Sequence, residues 1–409
     1  MASPRMRTRT APFYAEAFFG NFSADLAIWS FFLTEVHGVS LPQAVAAHTL
    51  IFLTVGLCDL PTGAWADLFG RRRVLVCGYL CRIAGAVLTL AAGSYSLLLV
   101  ASLLTGFGWA QLSGANRSWL YDNLKAQGET DHFPRVFSNY WSAMFVSRCL
   151  AFGSAGVLFT LNPALPYLLM IAALSMAIAV MLIANEELPF TAATGTTTWT
   201  QLRGALAAVR GATQLRLLIG VFLGMSIASD SAWVVIQPLC GDLGLSTVVV
   251  GGIYAGGALA SALGAQLTKT PWMRGYFVRG FTVLTILYAL AGILLGTAES
   301  PSWLFVLGLI SFHLAVGVLY PLFEPSIQTW VESSHRATVS SMLSAATGLI
   351  VGGAGVLLGW VAQSFGAGVI FLLLPPAALA VLGVVVRTWR KGAVQSPAPR
   401  SRPEVGAAQ

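Results

Sequence analysis

Apolar runs of about 20 residues, the length a helix needs to cross the hydrocarbon core of a bilayer, follow one another along almost the whole chain. Twelve can be marked, at 13–35, 43–66, 73–93, 96–120, 135–160, 164–184, 215–238, 246–268, 277–297, 301–326, 337–362 and 367–387. Lipid offers the backbone no hydrogen-bond partners, so each run must satisfy its own N–H and C=O groups as a helix. Only 10% of residues are charged and the mean hydropathy is +0.75. A soluble domain carries roughly 25% charged residues, so this chain lacks the charge to coat a water-facing surface. Gly is abundant, at 42 residues, as expected where helices pack closely. The predicted class is an all-α membrane protein with twelve transmembrane helices.

Basic residues fix the expected orientation. Arg71, Arg72 and Arg73 lie between spans two and three, and Lys125 and Arg135 between four and five. Arg203, Arg210 and Arg216 follow span six, Lys269, Arg274 and Arg279 lie between eight and nine, and Arg336 between ten and eleven. The alternate connections hold no Lys or Arg. The positive-inside rule then puts both termini in the cytoplasm of a multi-pass protein of the plasma (inner) membrane. Arg5, Arg7 and Arg9 precede an apolar run that continues as a full span without a small-residue cleavage site, so it reads as the first membrane helix and not as a signal peptide. The net charge of +7 forms no stripe on a soluble domain, so the bilayer, and no nucleic acid, is the expected partner.

The longest internal connection joins spans six and seven, which divides the chain into an N-terminal six-helix bundle (1–184), a cytoplasmic linker (185–214), a C-terminal six-helix bundle (215–388) and a cytoplasmic tail (389–409). A faint repeat supports the division. Span one ends His37-Gly38-Val39-Ser40 and span seven ends Leu243-Gly244-Leu245-Ser246; each holds one mid-span acid, Asp25 or Asp230, with Trp29 or Trp233 shortly after. Duplicated halves are common in transporters. The five cysteines lie in or beside apolar runs with no His or carboxylate cluster, so they read as small hydrophobes and no metal or cofactor is expected.

The connection after span two reads Gly63-Ala64-Trp65-Ala66-Asp67-Leu68-Phe69-Gly70-Arg71-Arg72-Arg73. Asp67 ends a helix at the water boundary, Gly70 permits a tight turn, and the arginines meet the cytoplasmic surface. A basic loop that only set topology would not need the Gly–Asp–Gly spacing. The arrangement resembles the signature of the major facilitator superfamily. The resemblance covers the whole chain and extends to Ser113 through Asp122, Leu60-Pro61-Thr62-Gly63 and Arg336-Ala337-Thr338-Val339-Ser340. It implies two pseudo-symmetric six-helix bundles and a charge relay at the span two–three loop, here Gly63, Asp67, Gly70 and Arg71 with Asp122 at the end of span four. The family's frequent Arg in mid-span four is absent (Leu103, Leu104, Thr105), as is the Gly-Pro motif of span five, where Phe152-Gly153-Ser154-Ala155-Gly156 stands.

An ionisable group at the bilayer centre costs about 2.5 kcal/mol or more and usually faces a cavity with a function. Asp25, Arg148, Asp230 and His313 are expected near mid-depth, Arg82 somewhat shallower, and Arg117 and Glu324 nearer the cytoplasmic ends. Glu324 lies between Pro321 and Pro325, which can break span ten. The resemblance implies that spans one, four, seven and ten line a central path. The expected site pairs Asp25 with Arg148 across the N-terminal cavity, with Asp230 opposite; a partly desolvated carboxylate there could carry a proton. A static ion pair that only fixes packing is the competing account. His48 and His313 are expected to be satisfied interhelical hydrogen-bonders.

The expected function is alternating-access transport of a small molecule, coupled to protons, as an antiporter for efflux of a hydrophobic or amphipathic drug or metabolite. Uptake of a polar solute by symport is the alternative within transport. A non-transporting sensor would call for a large soluble domain, and a membrane enzyme for a catalytic motif; the sequence displays neither. The chain is expected to act as a monomer.

Overall fold

In the computed structural model the description covers residues 4–126, 128, 133–183, 198–211, 213–268, 270, 272–273, 277–330 and 336–390. All regular structure among them is helical. Among the described residues nine helices are long and apolar enough to cross a membrane, or ten when the pair 342–353 and 355–365, bent by 47° at Ala354, is taken as one span. Of the two remaining predicted segments, the tenth lies in one continuous helix, Trp303–Trp330. In segment ten the shorter apolar stretch Trp303–Leu319 stands out. Segment one is broken.

That first segment begins as α1 (Pro4–Gly20), stops at Asn21–Ser23, and continues as a 3-10 turn (Ala24–Ala27), the short α2 (Trp29–Phe31) and a π-helical turn (Phe32–Val36). Helices α3 (Leu41–Phe69) and α4 (Arg71–Ala91) follow. Gly70 joins them at φ 92° and ψ 136°, a conformation closed to residues with a Cβ; the turn read from the signature is therefore present. The N-terminal half is completed by α5 (Tyr95–Ala126), α6 (Phe133–Leu161) and α7 (Leu165–Ile183). The connection between the halves carries a helix of its own, α8 (Thr198–Gly211), which packs against α3 and α13.

The second half comprises α9 (Thr213–Asp242), α10 (Thr247–Leu267), α11 (Phe277–Gly296), α12 (Trp303–Trp330), α13 (Arg336–Gly353), α14 (Gly355–Phe365), α15 (Gly368–Phe371) and α16 (Leu374–Arg390). The halves meet along two crossings, α3 with α13–α14 and α6 with α10. Both rely on glycine. A Cβ on Gly348 would lie 2.6 Å from the Phe52 carbonyl oxygen, one on Gly359 2.6 Å from Pro42 Cα, and one on Gly156 2.1 Å from the Thr247 carbonyl oxygen. Backbones this close gain dispersion contacts along the crossing, which replaces the hydrophobic drive that lipid does not supply.

These crossings sit at one end. On α3 the glycine contacts run from Pro42 to Gly56, and on α6 and α10 from Phe152 to Gly156 and from Thr247 to Ala255. This is the end whose connections lack Lys and Arg. Among the described residues, no glycine makes a comparable backbone approach between the halves at the arginine-rich end.

Candidate functional site

The break in the first segment exposes backbone carbonyls that no helix hydrogen bond uses, and a buried arginine fills the gap. Arg82 on α4 is 2% exposed. Its guanidinium donates to the Gly20 carbonyl at 2.9 Å and to Ser23 Oγ at 2.8 Å, and lies 3.9 Å from the Trp109 ring centre. Arg82 Nε and Asp25 Oδ1 are both buried without a hydrogen-bond partner. Both residues line a cavity inside the N-terminal half, with His48, Trp29, Thr105 and Tyr167. It leaves about 50 Å³ for water, and a single water needs only about 10–15 Å³ of such space. His48 stacks on Trp29 at 4.0 Å.

One turn of α4 away lies a second acid, Glu16. It is fully buried and accepts hydrogen bonds from the hydroxyls of Tyr79 and Tyr140, the latter at 3.0 Å. Gly20 makes room for this: a Cβ there would collide with the Tyr79 hydroxyl. Sequence reasoning passed over Glu16 because the arginines at 5, 7 and 9 set the start of the span at 13, leaving the acid near its edge. The helix begins at Pro4, so Glu16 is 12 residues along it, roughly 18 Å at the helical rise. An acid flanked by Phe13, Tyr14, Phe18 and Phe19 was the available signal.

Between the halves, Gln237 on α9 is the main polar tie. It is fully buried, donates to the Leu26 carbonyl at 2.6 Å, and accepts from the Ser30 backbone N–H at 2.9 Å and hydroxyl at 3.1 Å. Asp230 lies seven residues earlier, two turns along the same face, so it too looks toward the first segment. Arg148 stands on α6 four residues before Phe152, whose ring meets Tyr254 of the other half at 5.8 Å. The preceding residue, Ser147, bonds the Phe18 carbonyl. Arg148 thus projects between the α1-facing and α10-facing sides of its helix, away from the exposed Val146, Leu150 and Val157. Among the described residues neither Arg148 nor Asp230 makes a hydrogen bond or ion pair, and both are only partly exposed.

The expected pairing of Asp25 with Arg148 is not formed. Arg82 is the basic group whose field reaches Asp25, without direct ion-pair contact, and both line the same cavity with residues of α3, α5 and α7. Arg148 instead stands near Arg82 as a like charge. His313 also departs from expectation: its Nε2 is unpartnered, and the ring packs against Trp233 and Phe312. Of the charge relay, Gly70 and Arg71 are described; the side chains of Asp67 and Asp122, and the surroundings of Gly63, lie outside the described residues, as do the side chains of Arg117 and Glu324.

Two helical halves packed on one another, with Arg148 and Asp230 at mid-height on helices of opposite halves, fit a multi-pass membrane transporter. The sequence pattern of the Major Facilitator Superfamily matches residues 13–285. The chain belongs to this superfamily and is a secondary transporter of its type. Solved structures share the fold. A POT family transporter in complex with a thioalcohol-conjugated peptide is similar at TM-score 0.77 and 14% identity, covering 94% of this chain and 96% of that one. The nucleoside transporter NupG is similar at TM-score 0.74 and 11% identity (93% and 98% covered), and a D-xylose–proton symporter at 0.72 and 13% (93% and 97%). No curated protein sequence matches the chain.

Proposed function

We propose that this transporter moves a polar small molecule across the cytoplasmic membrane by alternating access, in symport with protons. The observation that carries the reading is the pair of unpartnered charges, Arg148 and Asp230, at mid-height between the halves. A bare charge there is costly unless water or a ligand compensates it, and a purely hydrophobic substrate would compensate neither. With the arginine-rich connections in the cytoplasm, the glycine crossings close the external end and the halves part toward the cytoplasm.

Protons are carried by Asp25. Its free oxygen and the water-sized cavity beside it give a proton both a seat and a route, and Arg82 is close enough to respond to the change in charge. Opening and closing of the cytoplasmic end is governed by the Asp67–Arg71–Asp122 relay, which the resemblance to the superfamily signature supports. The protein functions as a monomer.

Reconstitution in liposomes tests this. With the lumen alkaline, labelled polar solutes, including a pentose, a nucleoside and a zwitterionic amino acid or peptide, should accumulate, and a protonophore should abolish the accumulation. Asp25→Asn should keep counterflow exchange and lose gradient-driven accumulation. Accumulation that ignores the gradient refutes the proton coupling.

A further inference from the structure

We infer that the substrate is a zwitterion, its carboxylate held by Arg148 in one half and its ammonium group by Asp230 in the other. The inference rests on the polar-solute reading above and narrows it to a chemical class.

Both groups occupy the same level. Arg148 lies 13 residues from Leu161 and Asp230 lies 12 residues from Asp242, the ends of their helices at the closed side; at the helical rise both are roughly 18–20 Å from that end. They stand on opposite halves, each on a helix that meets the other half at that end. Each is directed inward by neighbours whose contacts are fixed: Phe152 against Tyr254 for Arg148, and Gln237 against Leu26 and Ser30 for Asp230. Among the described residues neither forms a hydrogen bond or ion pair; the charged neighbour of Arg148 is the like-charged Arg82, and Asp230 lies within electrostatic reach of the Tyr288 hydroxyl. Asp25 does not serve Arg148, since it faces Arg82 and the cavity within its own half.

Charge balance then selects the ligand. A neutral solute offers an ion-pair partner to neither group, and a simple anion or cation offers one to a single group. Only a molecule with both ends charged satisfies the two together. Such a ligand also touches both halves at once, so it binds the closed form better than the open one and draws the open end shut.

The test uses the purified full-length protein with alanine, its dipeptide and tripeptide, and glycine betaine, read by thermal stabilisation. The alanine series is also presented as C-terminal amides and N-acetyl derivatives. At least one free zwitterion should stabilise the protein, and blocking either end should raise the half-saturating concentration at least tenfold. Arg148→Gln should lose the distinction between free carboxylate and amide while keeping that between amine and acetyl; Asp230→Asn should do the reverse. A variant that merely misfolds would lose both distinctions. The inference is overturned if no zwitterion stabilises the protein or if both variants discriminate as the parent does. Liposomes that accumulate the pentose or nucleoside but no zwitterion would overturn the zwitterion and leave the polar-solute reading standing; gradient-driven uptake of none of these solutes would end both.

Discussion

Gly156 offers the sharpest handle on the closed end. In Gly156→Ala the new Cβ would sit 2.1 Å from the Thr247 carbonyl oxygen and 2.5 Å from both Thr247 C and Val248 Cα. Ordinary contact begins near 3.4 Å, so α6 and α10 must separate by more than 1 Å at this point. The obstructing atoms are backbone and cannot rotate aside. Overpacking of this kind costs about 1–3 kcal/mol. The clash joins two halves, so it is felt in the state that closes this end and relieved in the state that opens it. That difference should shift the equilibrium toward opening by about 5- to 150-fold. Gly252→Ala on the partner helix α10 is the control, because nothing lies within 4 Å of its Cβ position. Spin labels replacing the exposed Ser94 and Ser300, which sit at this end on opposite halves, should report a longer distance in Gly156→Ala and an unchanged one in Gly252→Ala. If both variants gave the parent distribution in a monodisperse protein, the glycine crossing would not be what holds the end closed.

Other substitutions probe the polar centre and the tie between the halves. Gly20→Ala should push the Tyr79 hydroxyl off Glu16 and lower thermal stability by about 1–3 kcal/mol through a buried acceptor left short of a partner; Gly220→Ala, with nothing within 4 Å, should leave the melting temperature unchanged. Arg82→Met should cost about 3–5 kcal/mol, since it leaves the Gly20 carbonyl, Ser23 and Asp25 without their cation. Arg82→Lys should recover only part of this in the same melt, because an ammonium cannot reproduce the guanidinium's two donors and its seat on Trp109. Gln237→Ala removes three hydrogen bonds between the halves and should lengthen the Ser94–Ser300 distance. An unaltered distance would mean that the glycine crossings alone suffice.

The family's fold and turn were legible in the linear chain because both are local properties. Hydropathy summed over about 20 residues decides what crosses a bilayer, and the Gly–Asp–Gly spacing around Asp67 and Gly70 needs only neighbours in sequence. The regular spans were read within a few residues of the helices that form. Edges were read less well where charge preceded an apolar run, and that error hid Glu16, whose 12 residues of preceding helix include the three arginines.

The sequence by itself determined that this chain is a many-helix membrane protein of the superfamily and that Asp25, Arg82, Arg148 and Asp230 lie within its spans. Tertiary structure alone decided their partners. The direction a side chain takes depends on the rotation of its helix and on breaks such as the one at Asn21–Ser23, and these follow from packing among distant segments. Gln237 meets Ser30 across 207 residues, Arg82 reaches Gly20 across 62, and Asp25 faces Arg82 and not Arg148. A Coulomb interaction falls with separation in space and is blind to separation along the chain, so which of two arginines answers an aspartate can be settled only once the helices are in place.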